Sequence, residues 1–219
     1  MAEKLSFFVA GLGRFGKSVA LTLDKMGYDV MGMDINEDVV QSVSDQLGYV
    51  VCADAADEKN LRLIGADNCD VAIVAISNLS ASLMATLILR ELGIKRIVVR
   101  AISEIHGKLV QKIGADKIIY SEREMGVRVA HNLTSPGLLD YIELDNNITV
   151  ISIHVPKDWV GKGLKDLDVR QKYNINVAAI KRGENMMVNP RPDLLLSGDD
   201  TLIILGDNES VKKITDSLG

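Results

Sequence analysis

The feature that most constrains this chain is a glycine pattern close to its start. A short apolar run leads directly into residues 11–16, Gly-Leu-Gly-Arg-Phe-Gly, and an acidic residue, Asp34, follows 18 positions after the last glycine. In this pattern Gly11 makes a tight turn, Gly13 lets the backbone approach a pyrophosphate, and Gly16 allows a helix to pack closely on the preceding strand. Free amide groups at the helix start then meet phosphate charge. The pattern predicts a strand–turn–helix unit that binds an adenine nucleotide.

The first 120 residues repeat this alternation of apolar runs and amphipathic stretches. The runs predict strands at Leu5–Ala10, Asp29–Met33, Tyr49–Ala53, Val71–Ile76, Arg96–Arg100 and Lys117–Tyr120. The stretches between them predict helices at Gly16–Met26, Glu37–Gln46, Glu58–Leu63, Ser80–Leu92 and Ser103–Ile113. Repeated β-α units of this kind favour an α/β fold, a Rossmann-type doubly wound parallel sheet with helices on both faces.

The rhythm changes after residue 120. Residues 121–133 predict one amphipathic helix, which stops at the breaker Ser135-Pro136-Gly137. Two interpretations of this crossover helix remain open: it packs on its own sheet like the others, or it bridges to another subunit or to the next domain. We therefore divide the chain into a nucleotide-binding N-lobe (1–120), a crossover helix and linker (121–139) and a C-lobe (140–219).

The C-lobe has the pattern of a small α+β domain. Strands are predicted at Thr149–Val155, Asn176–Ile180, Met186–Val188 and Thr201–Leu205, and helices at Leu164–Tyr173 and Ser210–Leu218. Residues 182–185 and 197–200 suit turns. A domain of roughly 80 residues is near the lower limit for a core that is stable alone, which favours dimerisation.

Polar residues that follow the predicted strands extend the candidate nucleotide site. The Asp34 carboxylate suits ribose hydroxyls and would repel the 2′-phosphate of NADP, although it can also cap the following helix. Asp54 suits a place beside the adenine or a capping role for the helix from Asp57. Asn78 follows the fourth strand, and a ligand contact there is compatible with a helix cap.

Two arginines add positive charge at the same edge of the sheet. Arg14 lies within the glycine pattern, and its guanidinium can pair with phosphate oxygens or remain solvated on an exposed turn. Arg100 ends the fifth strand. Together they make the terminal phosphates of ATP or ADP candidate ligands alongside NAD(H).

Composition excludes several other classes of protein. A net charge of −5 opposes a nucleic-acid binder, and no apolar stretch is long enough to span a membrane. The start of the chain, Met1 to Lys4, leaves no room for a signal peptide, so we expect a cytoplasmic protein. The two cysteines lack metal-site spacing, and the histidines form no catalytic pattern. Nucleotide binding therefore indicates sensing rather than catalysis, with a soluble NAD-dependent oxidoreductase or a Rossmann redox sensor as the alternative.

A set of motifs in the same order resembles one family over essentially the whole chain. The glycine pattern is followed by Asp34-Ile-Asn-Glu37, Asp54-Ala55, Val74-Ala-Ile-Ser-Asn78, Ile113-Gly-Ala-Asp116 and Glu122-x-x-Met125-Gly126. This set resembles the regulator-of-potassium-conductance (RCK) proteins, specifically the cytosolic regulatory subunits of Ktr/Trk-type bacterial potassium transporters.

The resemblance implies an RCK N-lobe, a crossover helix and an RCK C-domain in a non-enzymatic subunit. Such subunits dimerise and assemble into an octameric ring under a membrane potassium-channel subunit, where ATP and ADP, or NADH and NAD, stabilise different ring shapes. It implies that nucleotide contacts come from Gly11, Gly13, Arg14, Phe15, Gly16, Asp34, Ile35, Asp54, Ala55, Ile76, Ser77, Asn78 and Arg100. Arg14 would approach the γ-phosphate in a neighbouring subunit, and Glu122 would help to hold Mg²⁺ or Ca²⁺ at the dimer interface.

The C-lobe carries a second, weaker resemblance. Residues 168–177 resemble the segment that binds cyclic di-AMP in some members of the family, which would place Arg170, Asn176 and Val177 at that ligand. The alternative is structural: Arg170 anchors a helix and Asn176 opens a strand. Asn174 stands where a glycine is often found, and asparagine also tolerates left-handed backbone.

Overall fold

A computed structural model of the protein describes residues 4–135, 137–145 and 147–216. Three parts of the sequence analysis lie outside these residues: the start of the chain at 1–3, the breaker Pro136, and the end of the last predicted helix at 217–218. The chain divides into two compact units between Glu122 and Arg123.

The first unit is built on a parallel sheet. Its strand order, within the described residues, is β3-β2-β1-β4-β5-β6. The strands are β1 (Ser6–Ala10), β2 (Asp29–Asp34), β3 (Tyr49–Cys52), β4 (Val71–Val74), β5 (Arg96–Arg100) and β6 (Lys117–Ile119). The helices are α1 (Arg14–Lys25), α2 (Glu37–Ser44), α3 (Glu58–Leu63), α4 (Leu79–Glu91) and α5 (Glu104–Lys112). This order is that of a doubly wound Rossmann sheet, so the predicted fold class is confirmed.

Side chains from β1 show why helices cover both faces of this sheet. Phe8 and Ala10 belong to one buried cluster, which includes Leu61 and Leu89 from the helices. Val9, between them, belongs to a second cluster with helix residues such as Val43. Alternate residues of a strand point to opposite faces, so an apolar run without polar interruptions requires a helical layer on each side.

The second unit contains an antiparallel sheet. Its strand order, in the described part of the chain, is β10-β9-β11-β8-β7. The strands are β7 (Leu138–Asp145), β8 (Ile148–His154), β9 (Ile175–Arg182), β10 (Asn185–Val188) and β11 (Thr201–Asp207). The helices are α6 (Ser121–Thr134), which begins in the first unit, α7 (Leu164–Leu167), α8 (Val169–Tyr173) and α9 (Asn208–Asp216). The aliphatic core of this unit surrounds Trp159, which is the single tryptophan of the sequence.

Two expectations for this region were wrong. The sequence analysis did not predict β7, which begins at Leu138 within the predicted linker. Irregular pairing with β8 near both ends of β7 interrupts the alternation that identifies a strand. The single helix predicted over 164–173 is two short helices, because Asp168 adopts a left-handed conformation with φ 47° between them.

The crossover helix α6 does not behave like α1–α5. None of its fourteen residues is buried, whereas each of the earlier helices carries at least one buried residue. Arg128 forms a bidentate ion pair with Asp140 of β7. The His131 ring stacks on the Tyr141 ring with 4.0 Å between the ring centroids. Polar and stacking contacts therefore attach α6 to β7, while its apolar residues Met125 and Leu133 remain exposed.

Asp200 is the most deeply buried charged group of the second unit's described residues. Its side chain is fully buried and accepts hydrogen bonds from Arg182 Nε at 2.7 Å, Arg182 Nη2 at 2.6 Å and the Ser197 backbone N–H at 2.8 Å. These contacts, those of Arg182 above all, lower the pKa of Asp200 below its ordinary value of 3.8 despite the burial. The pair closes the predicted turn at 197–200 onto β9.

We expect Asp200→Asn to destabilise the second unit by about 2 kcal/mol at neutral pH, because charge-assisted hydrogen bonds to a buried acceptor are weakened. The lowered pKa makes this contribution complete above about pH 4 and removes it as the pH falls through that lowered value. The difference between wild type and variant should therefore shrink below about pH 4. Urea unfolding followed by Trp159 fluorescence measures this. The exposed neighbour Asp199→Asn is the control, and an equal loss in both variants would contradict the assignment.

Candidate nucleotide-binding site

A cavity of about 640 Å³ opens at the carboxyl ends of β1–β4 in the first unit. This is the edge at which doubly wound sheets bind ligands, and the volume lies in the range of small-molecule sites. The walls consist of small or apolar residues and a few polar ones. They are Gly11, Gly13, Met33, Asp34, Ile35, Ala53, Asp54, Ala55, Ala56, Ala75, Ile76, Ser77, Asn78, Ser80, Ala81 and Met84.

The three glycines of the motif have different surroundings. Gly11 adopts φ +89°, and a Cβ there would lie 2.9 Å from the Ala75 carbonyl carbon. A Cβ on Gly16 would lie 1.8 Å from the Gly11 carbonyl oxygen, whereas a Cβ on Gly13 would meet no described atom within 4 Å. Gly11 and Gly16 are therefore required by the packing of the chain itself, and the open side of Gly13 suits the approach of a ligand.

The start of α1 forms the floor of this site. Gly13 is its N-cap, without a capping side chain, and the first turn contains no acidic residue. The first amide groups of an α-helix lack intrahelical acceptors, so they present donors and a partial positive charge. Arg14 and Lys17 add positive charge in the same turn, and Arg14 is exposed. A phosphate group fits these donors.

Asp34 joins the glycine turn to the end of β2. Its Oδ2 accepts the Leu12 backbone N–H at 2.7 Å, and its Oδ1 accepts the Asn36 backbone N–H at 2.9 Å. Asn36, not Asp34, is the N-cap of α2, so the capping interpretation of Asp34 is wrong. Each carboxylate oxygen accepts more than one hydrogen bond, which leaves Asp34 able to receive ribose hydroxyls.

The opposite wall follows β3 and β4. Asp54 Oδ1 accepts the Ala56 backbone N–H at 2.9 Å, and Asp57 is the N-cap of α3. Asp54 therefore lines the cavity without capping that helix. Asn78 both lines the cavity and caps α4, through the Ala81 backbone N–H at 2.9 Å, so the two roles expected for it coexist.

Several predicted contacts do not line this cavity within one chain. Gly16 packs under the glycine turn, Arg14 points into solvent at the start of α1, and Phe15 is half-buried beside Arg100. Arg100 is buried and donates to Ser77 and Glu122. The structure adds small residues that motif reasoning passed over, among them Ala53, Ala56 and Ala75. Their only signal in the sequence is that these alanines lie at or shortly after the carboxyl ends of predicted strands.

His106 is a structural residue rather than part of this site. Its ring is fully buried, with Nδ1 3.2 Å from the Ile102 backbone N and Nε2 3.1 Å from Ser82 Oγ. A backbone N–H only donates, so Nδ1 accepts and Nε2 carries the proton. Burial, together with the charge of Arg100, lowers the pKa of His106. The neutral ring ties α4 to the segment before α5.

Glu122 alone does not make a metal site within one chain. No group of three or more His, Cys, Asp or Glu side chains suited to a metal occurs among the described residues. The Glu122 carboxylate is bound by Arg100 at 2.5 Å and by the Ser121 hydroxyl at 2.9 Å, and these contacts, the Ser121 hydrogen bond first among them, lower its pKa. A divalent cation there would need further ligands from another copy, as the expected dimer interface implies.

The second unit has a cavity of its own, of about 280 Å³. It brings together the three residues expected at cyclic di-AMP, since Arg170, Asn176 and Val177 all line it. Arg170 Nη2 donates to Asn176 Oδ1 at 3.3 Å. Asn174 lies between them in the sequence as the C-cap of α8, with a left-handed φ of 54°, and directly precedes β9.

We expect Gly13→Ala to reduce nucleotide affinity at least about tenfold and to leave thermal stability nearly unchanged. The new methyl group would contact no described protein atom and would occupy space that the ligand needs. Gly16→Ala is the contrasting variant. Its methyl group would overlap the Gly11 carbonyl and destabilise the first unit by about 3 kcal/mol. Calorimetric titration and thermal unfolding separate the two effects, and unchanged affinity in Gly13→Ala would contradict the ligand assignment.

Comparison with known proteins points to one family. The TrkA-N domain profile matches residues 7–121, and the TrkA-C domain profile matches residues 148–219. The Ktr system potassium uptake protein C of Bacillus subtilis is 43% identical over 204 residues, covering 93% of this chain and 92% of that protein. The Ktr system potassium uptake protein A of the same organism is 37% identical, covering 94% of each.

Solved structures of other proteins share the fold of this chain. The GsuK RCK domain aligns with a TM-score of 0.55 at 24% identity, covering 99% of this chain and 47% of that one. The crystal structure of GsuK bound to ADP aligns with a TM-score of 0.52 at 30% identity, covering 59% of this chain and 33% of that one. Because the two profiles span most of the sequence and the Ktr proteins match almost its whole length, this chain belongs to the TrkA-N/TrkA-C family of potassium uptake proteins, the RCK family.

Proposed function

We propose that this chain is a nucleotide-sensing regulatory subunit that controls potassium flux through a membrane transporter or channel of the Ktr/Trk type. The observation that carries the proposal is the cavity at the carboxyl edge of the sheet. There the open side of Gly13, the uncapped start of α1 and the Asp34 carboxylate converge. A chain of this family with such a site has a direct use for a bound nucleotide as a signal.

The ligand is an adenine nucleotide without a 2′-phosphate. Asp34 offers carboxylate oxygens to ribose hydroxyls and repels an added phosphate at the 2′ position. ATP and ADP are favoured over NAD(H) because Arg14 and Lys17 add positive charge where terminal phosphates would lie. The related GsuK has been solved with ADP and, in another structure, with NAD.

Arg14 is the residue that distinguishes ATP from ADP in this proposal. It is exposed and does not line the cavity of its own chain, so its guanidinium is available to nucleotide in a neighbouring copy. An interaction with the γ-phosphate alone gives ATP a higher affinity for the assembly that brings Arg14 close. A difference in affinity between two assemblies is what a ligand needs in order to shift their populations.

The cavity is a binding site rather than a catalytic one. The ionisable side chains that line it, among the described residues, are Asp34 and Asp54. Both accept backbone N–H groups, and neither is paired with a side-chain proton donor in the described contacts. This arrangement supports reversible binding of a nucleotide without its chemical conversion. Oxidation of NADH with a carbonyl substrate would support the alternative of an oxidoreductase.

The functional assembly is a homodimer that builds an octameric ring beneath its membrane partner, in the cytoplasm. Exposed apolar residues of α6, with Met125 54% and Leu133 81% exposed, support association with another copy. No described helix combines the length and apolar character that crossing a bilayer requires. The membrane connection in this proposal is therefore made through the potassium-channel subunit, and Glu122 with a divalent cation belongs to the dimer interface.

We expect both ATP and ADP to bind the purified protein. Arg14→Ala should lower the affinity for ATP at least about tenfold and change the affinity for ADP little, because the lost contact is a charge-assisted hydrogen bond to the γ-phosphate. Isothermal titration with ATP, ADP, NADH and NAD, with and without Mg²⁺, measures this. Lys25→Ala is the matched control, since it removes an exposed cation from the last turn of the same helix, away from the glycine turn. If the protein prefers NADH and Arg14→Ala does not change this preference, the proposal of ATP sensing is wrong and redox sensing is favoured. If none of the four nucleotides binds, the proposed site is refuted.

We further propose that the cavity of the second unit binds cyclic di-AMP, because Arg170 supplies a cation for its phosphates beside Asn176 and Val177. Arg170→Ala should lower the affinity of the full chain for cyclic di-AMP at least about tenfold and leave its affinity for ATP unchanged. Lys172→Ala removes a neighbouring exposed cation of α8 that does not line the cavity. Equal weakening in both variants would indicate general electrostatic attraction instead of this site.

A further inference from the structure

Arg100 connects three parts of the first unit at the end of β5. Its Nη2 donates to Ser77 Oγ at 2.7 Å, and its Nη1 donates to Glu122 Oε1 at 2.5 Å. Its guanidinium carbon lies 6.0 Å from the centre of the Phe15 ring. Ser77 belongs to the cavity wall, Phe15 follows the glycine turn, and Glu122 lies in the first turn of α6.

The guanidinium is buried but incompletely satisfied. Arg100 is 8% exposed, and its Nε is buried without a hydrogen-bond partner among the described residues. Buried donors are nearly always paired, and a guanidinium carries five N–H groups in a fixed plane. The Nε–H group of Arg100 is thus available to a further acceptor, on a side chain that already contacts the cavity wall.

The charge of Arg100 is balanced by a carboxylate that is easily separated from it. The Glu122 side chain is 68% exposed, so water can solvate this carboxylate if the pair opens. The Arg100 side chain, by contrast, is only 10% exposed and needs an anionic partner wherever it turns. A buried cation with a mostly solvated counter-ion is one for which a second anion can compete.

Nucleotide phosphates would be that second anion. A Cβ on Gly11 would lie 3.1 Å from the Ile76 backbone nitrogen, so the glycine turn and the residue before Ser77 are almost in contact. Phosphates bound at the start of α1 would therefore approach the guanidinium from the side of Ser77 and Phe15, which both lie beside it. Glu122 lies on its α6 side.

We propose that Arg100 is a shared cation for which Glu122 and the phosphates of the bound nucleotide compete, so that a nucleotide with more phosphate charge loosens the first turn of α6. This inference rests on the proposed nucleotide site and adds to it a route of regulation within one chain. Glu122 stabilises that turn both through Arg100 and through its position at the helix N-terminus. The same helix continues to Arg128 and His131, which bind β7.

Reciprocity between the two anions makes the proposal measurable. If bound phosphate weakens the Arg100–Glu122 pair, then removal of the Glu122 charge must strengthen phosphate binding by the same factor. We expect Glu122→Gln to raise ATP affinity about three- to tenfold and ADP affinity less, because ATP carries more charge. Arg100→Gln should lower the affinity for ATP. Adding Glu122→Gln to Arg100→Gln should not change the ATP affinity any further.

The titrations are performed on the full chain in EDTA, so that no divalent cation occupies Glu122, with thermal unfolding as a check on folding. Glu91→Gln is the control, because it removes an exposed carboxylate of the same unit at the end of α4. An unchanged ratio of ATP to ADP affinity in Glu122→Gln, or an equal effect in the Arg100→Gln background, overturns the competition. Failure of wild type to bind any nucleotide refutes the proposed function instead.

Hydrogen exchange provides a second, independent test without a change at Glu122. Backbone amides around residues 121–126 should exchange faster in wild type with ATP than with ADP, and this difference should disappear in Arg100→Gln. Slower exchange with ATP, or a difference that persists in Arg100→Gln, overturns the proposal. Arg100→Lys, which keeps the charge with fewer donors, should retain part of the difference.

Discussion

The close approach of α1 to the glycine turn is the contact on which the first unit and its site depend. Only a hydrogen atom at residue 16 avoids the Gly11 carbonyl oxygen, and only a left-handed Gly11 brings the chain from β1 into α1 beside Ala75. That approach directs the uncapped start of α1 into the cavity. The Asp34 carboxylate then holds the turn against the end of β2 through the Leu12 amide. Packing and ligand geometry are consequences of the same close contact.

Electrostatics in the site follow one plan. The start of α1 is positive, with Arg14 and Lys17 and no acidic residue in its first turn, whereas Asp34 and Asp54 line the cavity near the ends of β2 and β3. Such a polarity fits the proposed nucleotide, with its phosphates at the helix and its sugar hydroxyls at the carboxylates.

The helix α6 differs from its neighbours in how it is held. Helices α1–α5 bury apolar residues on the sheet, whereas α6 relies on an ion pair with Asp140 and a ring stack with Tyr141. Polar contacts can be exchanged for other polar contacts at little cost, but a buried apolar face cannot be exposed so readily. An element that responds to a ligand is expected to be attached in this way. The pairing of Glu122 with Arg100 connects its first turn, through Ser77, to the wall of the cavity in the first unit.

Much of this protein is determined locally by its sequence. The glycine pattern, the uninterrupted apolar runs and the acid after the second strand determined the Rossmann sheet, the edge that forms the cavity and the roles open to Gly13 and Asp34, because turn geometry and strand burial depend on neighbouring residues. Other features required the tertiary structure. Arg100, predicted at the phosphates, donates to Ser77 and Glu122, which lie 23 and 22 positions away, and no motif predicted these two partners. The irregular strand β7 is recognisable only through its pairing with β8, and the two short helices α7 and α8 are separated by a left-handed Asp168 that helical periodicity does not reveal. Partners of a buried charge and the pairing of an irregular edge strand are set by segments distant in sequence, and no local pattern encodes them.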